Sequence, residues 1–261
     1  MIKRFRNLIH SKRIEALLSL KRFMGIQTTM VRLPSGGSLK IRNIDKIGID
    51  ILKGHFEPTV MNVLISSLKE GMTVLDIGAN IGYYTVLMAL KVGGSGRVIA
   101  FEPNPLLYEN LKLNIELNGL NNVLALPIAL SDSKGESQFF FPPEGQEGHG
   151  SLKKNSTFTE ARTGNVSTDR LDEVLSRLEI MKVDLIKIDV EGAELLVIRG
   201  ANELLTGWPK PVIFFESAEN LCSSFGFRVF DVLSEIASFG YLLKQVDYGN
   251  WMAVQKQEAL Q

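Results

Sequence analysis

The chain has 261 residues, 45% hydrophobic and 22% charged, and its 29 basic and 29 acidic side chains cancel. That is enough apolar material for one sizeable core, and ordinary hydrophobicity with no net charge excludes a largely disordered chain. Cys222 is the only cysteine, which excludes a disulfide scaffold and suits a reducing, cytoplasmic setting. No apolar run reaches the roughly 18 residues that a membrane-spanning helix needs.

The neutral balance conceals an asymmetry. Residues 1–32 hold eight basic side chains against the single acid Glu15, leaving 21 basic and 28 acidic residues in the remainder. A basic arm therefore precedes an acidic body. Its apolar stretch Ile14–Leu20 is short, contains Glu15 and runs into Lys21 and Arg22, unlike a secretory signal. Ile2, Phe5, Ile9, Ile14, Leu17 and Leu18 roughly follow helical spacing. Such a helix can lie on an anionic membrane surface or dock on a partner; the simpler expectation is packing on the body by the apolar stripe. Nucleic acid is not expected as a partner of a chain whose body is acidic.

Val31–Ile51, around Pro34, Gly36 and Gly37, reads as a hairpin, so residues 1–53 are expected to form an appendage and 54–261 the main domain. Glu57–Glu70 is expected to be helical. Strands follow at Thr73–Ile77, Arg97–Phe101 and Val123–Leu130, with helices at Tyr83–Val92 and Pro105–Asn118 between them. Glu136–Phe141 reads as a short extra strand. Residues 142–165 are rich in Gly and Pro and read as one long loop, of a length that is usually functional or disordered. Beyond it the pattern predicts a helix over Thr168–Leu178, a strand over Asp184–Ile188, a helix over Glu191–Leu204 and a strand over Val212–Phe215. A helix over Phe227–Phe239 and strands Tyr241–Val246 and Trp251–Val254 close the chain. This alternation predicts an α/β three-layer sandwich, a mainly parallel sheet covered on both faces and ending in a hairpin.

In an open parallel sheet the ligand crevice lies at the carboxyl ends of the strands. Here those ends carry Asp76, Glu102, Asp189 and Glu216. The first reads Asp76-Ile-Gly-Ala-Asn-Ile-Gly82, where Gly78 lets backbone approach a ligand and Gly82 allows tight entry into a helix. It is neither the G-x-G-x-x-G dinucleotide fingerprint nor a phosphate-binding loop. An acid ahead of the glycines suits a cationic ligand. Glu102 follows Gly82 by 20 residues, where a carboxylate accepts both ribose hydroxyls. A nucleoside with a cationic part and no pyrophosphate points to S-adenosylmethionine; a glycine turn with an ordinary surface acid is the plainer alternative.

Asp76–Gly82, Phe101-Glu-Pro-Asn-Pro105, Ala129-Leu-Ser-Asp132 with Gly135, and Lys187-Ile-Asp-Val-Glu-Gly-Ala-Glu194 occur in this order. Together they resemble the FkbM family of S-adenosylmethionine-dependent methyltransferases, over roughly residues 54–217. The resemblance implies a class I methyltransferase (Rossmann-like) fold, its seven strands ordered 3-2-1-4-5-7-6 with strand 7 antiparallel. It also implies in-line O-methylation of a hydroxyl on a sugar, glycan or secondary metabolite. Gly78, Ala79 and Asn80 would then face the methionine and ribose, and Asp76 would organise their loop or bind the ammonium through water. Glu102 would hold the ribose diol, Asn104 would sit near the adenosine, and Ser131 and Asp132 would meet the adenine edge. Glu57, by analogy with the family, would contact the methionine end, or else serve as a helix N-terminal acid. The arm and the long loop lie outside the shared motifs, so the resemblance names no acceptor and no oligomeric state.

Asp189 and Glu191 are expected to face the substrate, with Glu216 nearby, whereas Glu194 reads as a capping or packing acid. Lys187 shares a strand face with Asp189 and could tune it. A sugar hydroxyl is a weak nucleophile, and Asp189, Glu191 or, if the long loop closes, His149 would be its base; otherwise His149 is a loop residue. A divalent ion on Asp189, Glu191 and Glu216 could orient a diol, though no ligand spacing selects it. Two other classes compete: a non-catalytic S-adenosylmethionine-binding module acting through its arm or loop, and a nicotinamide-dependent dehydrogenase, which the missing fingerprint disfavours.

Overall fold

The computed structural model describes residues 2–33, 36–154, 161–207 and 209–256, without the side chains of residues 2–10 and 147. The apolar side chains of Ile2, Phe5 and Ile9, and loop residues 155–160, lie outside this description.

Helix α1 (Ile2–Phe23) ends on Lys21 and Arg22, which favour a helix carboxyl terminus. Ile14 and Leu18, one turn apart, are buried and seat it on the body, and Lys53 holds Glu15 at 2.7 Å. Strands β1 (Thr28–Arg32) and β2 (Ser38–Arg42) pair antiparallel. The sequence reading carries this hairpin to Ile51; instead α2 (Lys46–Lys53) follows it. The Asp45 carboxylate accepts the Gly48 N–H at 3.1 Å, and Gly54 closes the helix at a φ of 69°, so both ends are capped.

Helix α3 (Pro58–Ser67), β3 (Thr73–Ile77), α4 (Tyr83–Val92), β4 (Arg97–Phe101), α5 (Pro105–Leu117) and β5 (Val123–Leu126) come next. The expected third strand is cut at Pro127, which has no amide hydrogen to donate. Its remainder, β6 (Ala129–Leu130), joins a second sheet with β7 (Gly135–Phe141) and β8 (Arg162–Asp169). Strand β8 falls where loop and helix are expected: within it only Val166, Thr168 and Asp169 are buried, so its polar composition conceals the ladder it forms with β7.

Then follow α6 (Leu171–Arg177) and β9 (Leu185–Ile188). In place of one helix over Glu191–Leu204 stand α7 (Glu194–Arg199) and α8 (Asn202–Thr206). Glu191 and Gly192 take φ values of 55° and 102°, which turn the chain before any helix starts. Strand β10 (Val212–Glu216), α9 (Glu219–Cys222), α10 (Val229–Ser238), β11 (Tyr241–Asp247) and β12 (Asn250–Gln255) complete the chain.

The main sheet runs β5-β4-β3-β9-β10-β12-β11, parallel except for β12, which is antiparallel to both its neighbours. This is the order 3-2-1-4-5-7-6. Alternation along each strand splits the core in two. Leu75, Ile99 and Ile186 face α7 and α10, where Ile198 and Ile236 meet them. Val74, Val98 and Leu185 face α3 and α4, and the hairpin residues Leu39 and Ile41 belong to this same layer.

Two asparagines of the α5 region bind the hairpin to the body. Asn118 accepts the Ser38 N–H at 2.7 Å and donates to the Ser38 carbonyl at 2.7 Å. Fully buried Asn114 accepts the Lys40 N–H at 2.7 Å and donates to the Ile81 carbonyl at 2.8 Å. They act on the edge of β2 as a further strand would. Asn114→Ala leaves these backbone groups unpaired and is expected to cost about 2–3 kcal/mol in urea unfolding; a loss within experimental error would show that the asparagine does not hold the hairpin.

Candidate active site

The chain leaves β4 on one side of β3 and returns to β9 on the other, so strand order reverses between β3 and β9. A cavity of about 360 Å³ opens there, within the roughly 300–1,000 Å³ usual for small-molecule sites. The loop after β3 lines its floor with Gly78, Ala79 and Asn80. Lys46, Ile47 and Asp50 of α2 face that floor, as do Gly148 to Leu152 of the long loop.

Gly78 sits at a φ of 82°, and a Cβ there would lie 1.8 Å from the Asp189 carbonyl oxygen. Its bareness therefore serves the close approach of the β3 and β9 ends, while its backbone still lines the cavity. The Gly78 and Ala79 amides both donate to the Phe101 carbonyl, at 3.0 and 2.9 Å. Asn80, at a φ of 54°, accepts the Ile81 amide at 2.8 Å.

Glu102 lines the cavity beside this loop. One carboxylate oxygen accepts the Asn80 N–H and the other the Asn104 N–H, each at 2.8 Å. Burial pushes its pKa up to about 7 in spite of these bonds, with Asp76 and Asp189 adding to the rise. Asn104 is buried as the cap of α5, accepting the Leu106 N–H at 3.0 Å, and lies behind the cavity wall. Ser131 and Asp132, 3.3 Å apart, also stand outside the lining, which passes through Ile128, Ala129 and Leu130. Asp76 is fully buried beneath the floor; its Oδ2 accepts the Thr85 hydroxyl at 2.5 Å, and its Oδ1 finds no partner among the described residues. Burial raises its pKa against the pull of Lys187.

The opposite end of the cavity is acidic and ordered around Lys187. Its ammonium lies 3.0 Å from Asp189 Oδ2 and 4.7 Å from the centroid of the Tyr84 ring. Burial pulls the Lys187 pKa down, but Asp189, Asp76 and Glu57 together raise it above the ordinary value. Lys187 in turn overcomes the burial of Asp189 and holds that carboxyl below its usual range. Burial, then Asp189 and Glu191, push Glu216 up to about 10, so it stays protonated at neutral pH and shares its proton with Asp189. Glu57 starts α3 at a φ of 37° and turns into the cavity, where the Tyr84 hydroxyl donates to it at 2.7 Å. Burial and Asp189 raise its pKa.

His149 ends a single 3-10 turn, Glu147–His149, of the long loop. Its Nδ1 is 2.9 Å from Glu191 Oε1, and the Ser151 hydroxyl donates to the Glu191 carbonyl at 2.9 Å. A Cβ on Gly148 would lie 2.1 Å from Ile47 and 2.7 Å from Asn80, so glycine is what lets this turn close on α2 and the floor. The hydrogen bond His149 donates to Glu191 raises the His149 pKa against the opposing effect of burial. Glu194 is buried; its Oε1 accepts the Gly192 N–H at 3.0 Å, and burial takes its pKa to about 8.

The structure thus brings Glu57, Gly78, Ala79, Asn80, Glu102, His149, Asp189, Glu191 and Glu216 to one cavity and leaves Asp76, Asn104, Ser131 and Asp132 outside its lining. It adds Lys46, Asp50, Phe56, Tyr83 and Tyr84. Phe56 packs edge-on against Tyr83 at 5.3 Å, and Tyr83 against Tyr84 at 5.1 Å. The adjacent tyrosines directly after Gly82 are the one sequence signal that points to this wall. Among the described residues no group of three or more His, Cys, Asp or Glu side chains is placed to hold a metal ion. Lys187→Met would strand Asp189 beside a buried apolar group and is expected to destabilise the fold by about 3–5 kcal/mol; unfolding in urea at wild-type concentrations would contradict the ion-pair account.

Residues 76–243 match the Methyltransferase FkbM domain. Methyltransferase sdnD of Sordaria araneosa is 32% identical over 167 residues, which cover 53% of this chain and 64% of that protein. Hexuronic acid methyltransferase AglP of Haloferax volcanii is 27% identical over 200 residues, 74% of this chain and 78% of that one. The 2-O-methyltransferase NoeI of Sinorhizobium fredii is 31% identical over 152 residues, 53% of this chain and 60% of that one. The chain therefore spans less than two thirds of sdnD and of NoeI.

Proposed function

The chain belongs to the FkbM methyltransferase family, and from that premise we propose that it moves the methyl group of S-adenosylmethionine onto a hydroxyl of a sugar or secondary metabolite. The observation that carries this reading is one cavity with two chemically different ends: a carboxylate prearranged for a diol, and a His149–Glu191 pair beside an acidic cluster.

Each oxygen of Glu102 accepts one backbone N–H, and a carboxylate has about four lone-pair sites, so two remain for vicinal ribose hydroxyls. Gly78, Ala79 and Asn80 border the ribose and methionine, and Ile128 to Leu130 give the base an apolar slot in place of Ser131 and Asp132. Glu57 and Asp189 supply negative charge toward the ammonium and sulfonium. The sulfonium brings an already activated methyl group, so the protein's task is mainly alignment and proton removal.

With Nδ1 of the neutral ring donating to Glu191, Nε2 of His149 is the free acceptor. The acceptor oxygen bonds to the methyl carbon, the carbon–sulfur bond breaks to leave a neutral thioether, and the hydroxyl proton passes to Nε2. Glu191 is a positioning residue that fixes tautomer and ring orientation, as the third member of a nucleophile–base–acid arrangement does. Asp189 and Glu216, with one proton between them, offer both an acceptor and a donor to a neighbouring hydroxyl of the substrate. Lys187 supplies the positive charge among these acids, and the proposal assigns no divalent ion. Lys46 in the cavity lining suits an anionic sugar, the class in AglP's name.

Residues 54–261 are proposed as the methyltransferase domain and 1–53 as an appendage whose α2 completes the cavity. A cytoplasmic setting, with Cys222 free and buried, belongs to the same proposal.

Mass-detected methyl transfer to a panel of uronic acids and neutral sugars tests the assignment. The rate is expected to rise with pH through a His149 pKa above the ordinary 6.5, because only the neutral ring accepts the proton. Glu191→Gln removes the carboxylate that raises that pKa and is expected to move the rise to lower pH. His149→Ala should cut kcat by about 10²–10⁴ while S-adenosylhomocysteine affinity stays within about twofold; an unchanged kcat would remove His149 from the mechanism.

A further inference from the structure

Helix α1 carries two apolar stripes, and the body takes up one of them. Ile14 and Leu18 are 8% and 1% exposed. Leu17, Leu20 and Met24, at three- and four-residue spacing, form a second stripe on an adjoining face and are 47%, 55% and 63% exposed. Met24 continues the turn, its N–H donating to the Leu20 carbonyl at 2.9 Å, and Phe23 beside it is 90% exposed. Exposed large apolar side chains scattered singly are ordinary; four together at one helix end are a surface with a use.

The charges around this face have one sign. Lys12 and Arg13 are exposed, and Arg13 precedes Leu17 by one turn on the same side, whereas Arg22 donates to the Asn43 carbonyl at 2.8 Å and the Ser19 hydroxyl at 3.1 Å. Glu15, the one acid of residues 1–32, is held at 2.7 Å by Lys53. The positive charge therefore faces outward, while the rest of the chain is acidic. An isologous dimer through this face would set two copies of the same basic surface against each other, so charge complementarity selects a negative surface over a second copy. No helix among the described residues is long and apolar enough to cross a membrane.

We propose that this face of α1 docks on the surface of an anionic phospholipid bilayer. Leu17, Leu20, Phe23 and Met24 enter the boundary between headgroups and acyl chains, and the basic side chains lie at the headgroup phosphates. The Glu15–Lys53 pair ties α1 to α2, whose Lys46, Ile47 and Asp50 line the cavity, so one helix links the docked face to the cavity mouth. This inference goes beyond methyl transfer and does not depend on it.

Flotation of the full chain with phosphatidylcholine vesicles, with and without phosphatidylglycerol, tests it. The wild type is expected to float with the anionic vesicles, to lose them at high salt and to ignore the neutral ones. The double variant Phe23→Ser/Met24→Ser, both at exposed positions, is expected to keep its circular dichroism and melting temperature. It should bind anionic vesicles at least about tenfold more weakly. Flotation with neither vesicle, equally with both, or unaltered in the variant would overturn the proposal. A dimer in light scattering that the double variant dissociates, with no vesicle binding, would assign the face to a second copy and overturn it equally.

Discussion

Lys187 stands on the central strand β9, paired in register with Asp76 of β3, and parallel pairing puts both side chains on the same face of the sheet. An ammonium in that position is costly unless compensated, and Asp189, Asp76 and Glu57 compensate it together. Tyr84 lends its ring face to the charge and its hydroxyl to Glu57, so the same group that cushions the cation also fixes an acid on α3. Burial, and after it Asp189 held ionised by Lys187, then keep Glu216 protonated. Four elements of the fold thus present acids at one edge of the sheet, with Asp189 ionised and Glu216 protonated at neutral pH. A buried ion pair is weak evidence for stability; its consequence here is arrangement.

The second constraint is backbone proximity. Gly78 lets the loop after β3 touch the Asp189 carbonyl, which joins the loop facing Glu102 to the acidic end of the cavity without an intervening side chain. Gly148 does the same for the opposite wall, where the long loop closes on Ile47 and Asn80. His149 is placed by that closure and locked by Glu191, whose own left-handed backbone comes from the turn that delays α7. Residues 1–53 take part as well, since α2 supplies part of the lining and the hairpin shares the core beneath α4.

Most of the sheet was legible because buried strands such as Thr73–Ile77 and Arg97–Phe101 are short apolar runs ended by glycine or proline. Strand β8 was not, since its ladder is carried by backbone pairing while its side chains are mostly polar. Helix α2 had a readable signal in Asp45 and Gly54, eclipsed by the hairpin glycines before it. The floor and acidic edge of the cavity could be read because strand ends are local features. Lys46, Asp50 and Phe56 could not, because contacts between distant segments bring them there. Asn104, Ser131 and Asp132 show the converse: motif position put them near the crevice, but in the structure they make local hydrogen bonds outside the cavity lining.

Glu102 at the carboxyl end of β4 is proposed to hold the ribose of S-adenosylmethionine. Calorimetric titration with S-adenosylhomocysteine, with NAD as control, tests it most directly on the wild type and Glu102→Ala. Binding of the first and not the second is expected, with an affinity that falls as pH drops through about 7 where Glu102 takes up its proton, and a loss of at least about tenfold in the variant. Equal affinity in wild type and variant, or preference for NAD, would contradict it.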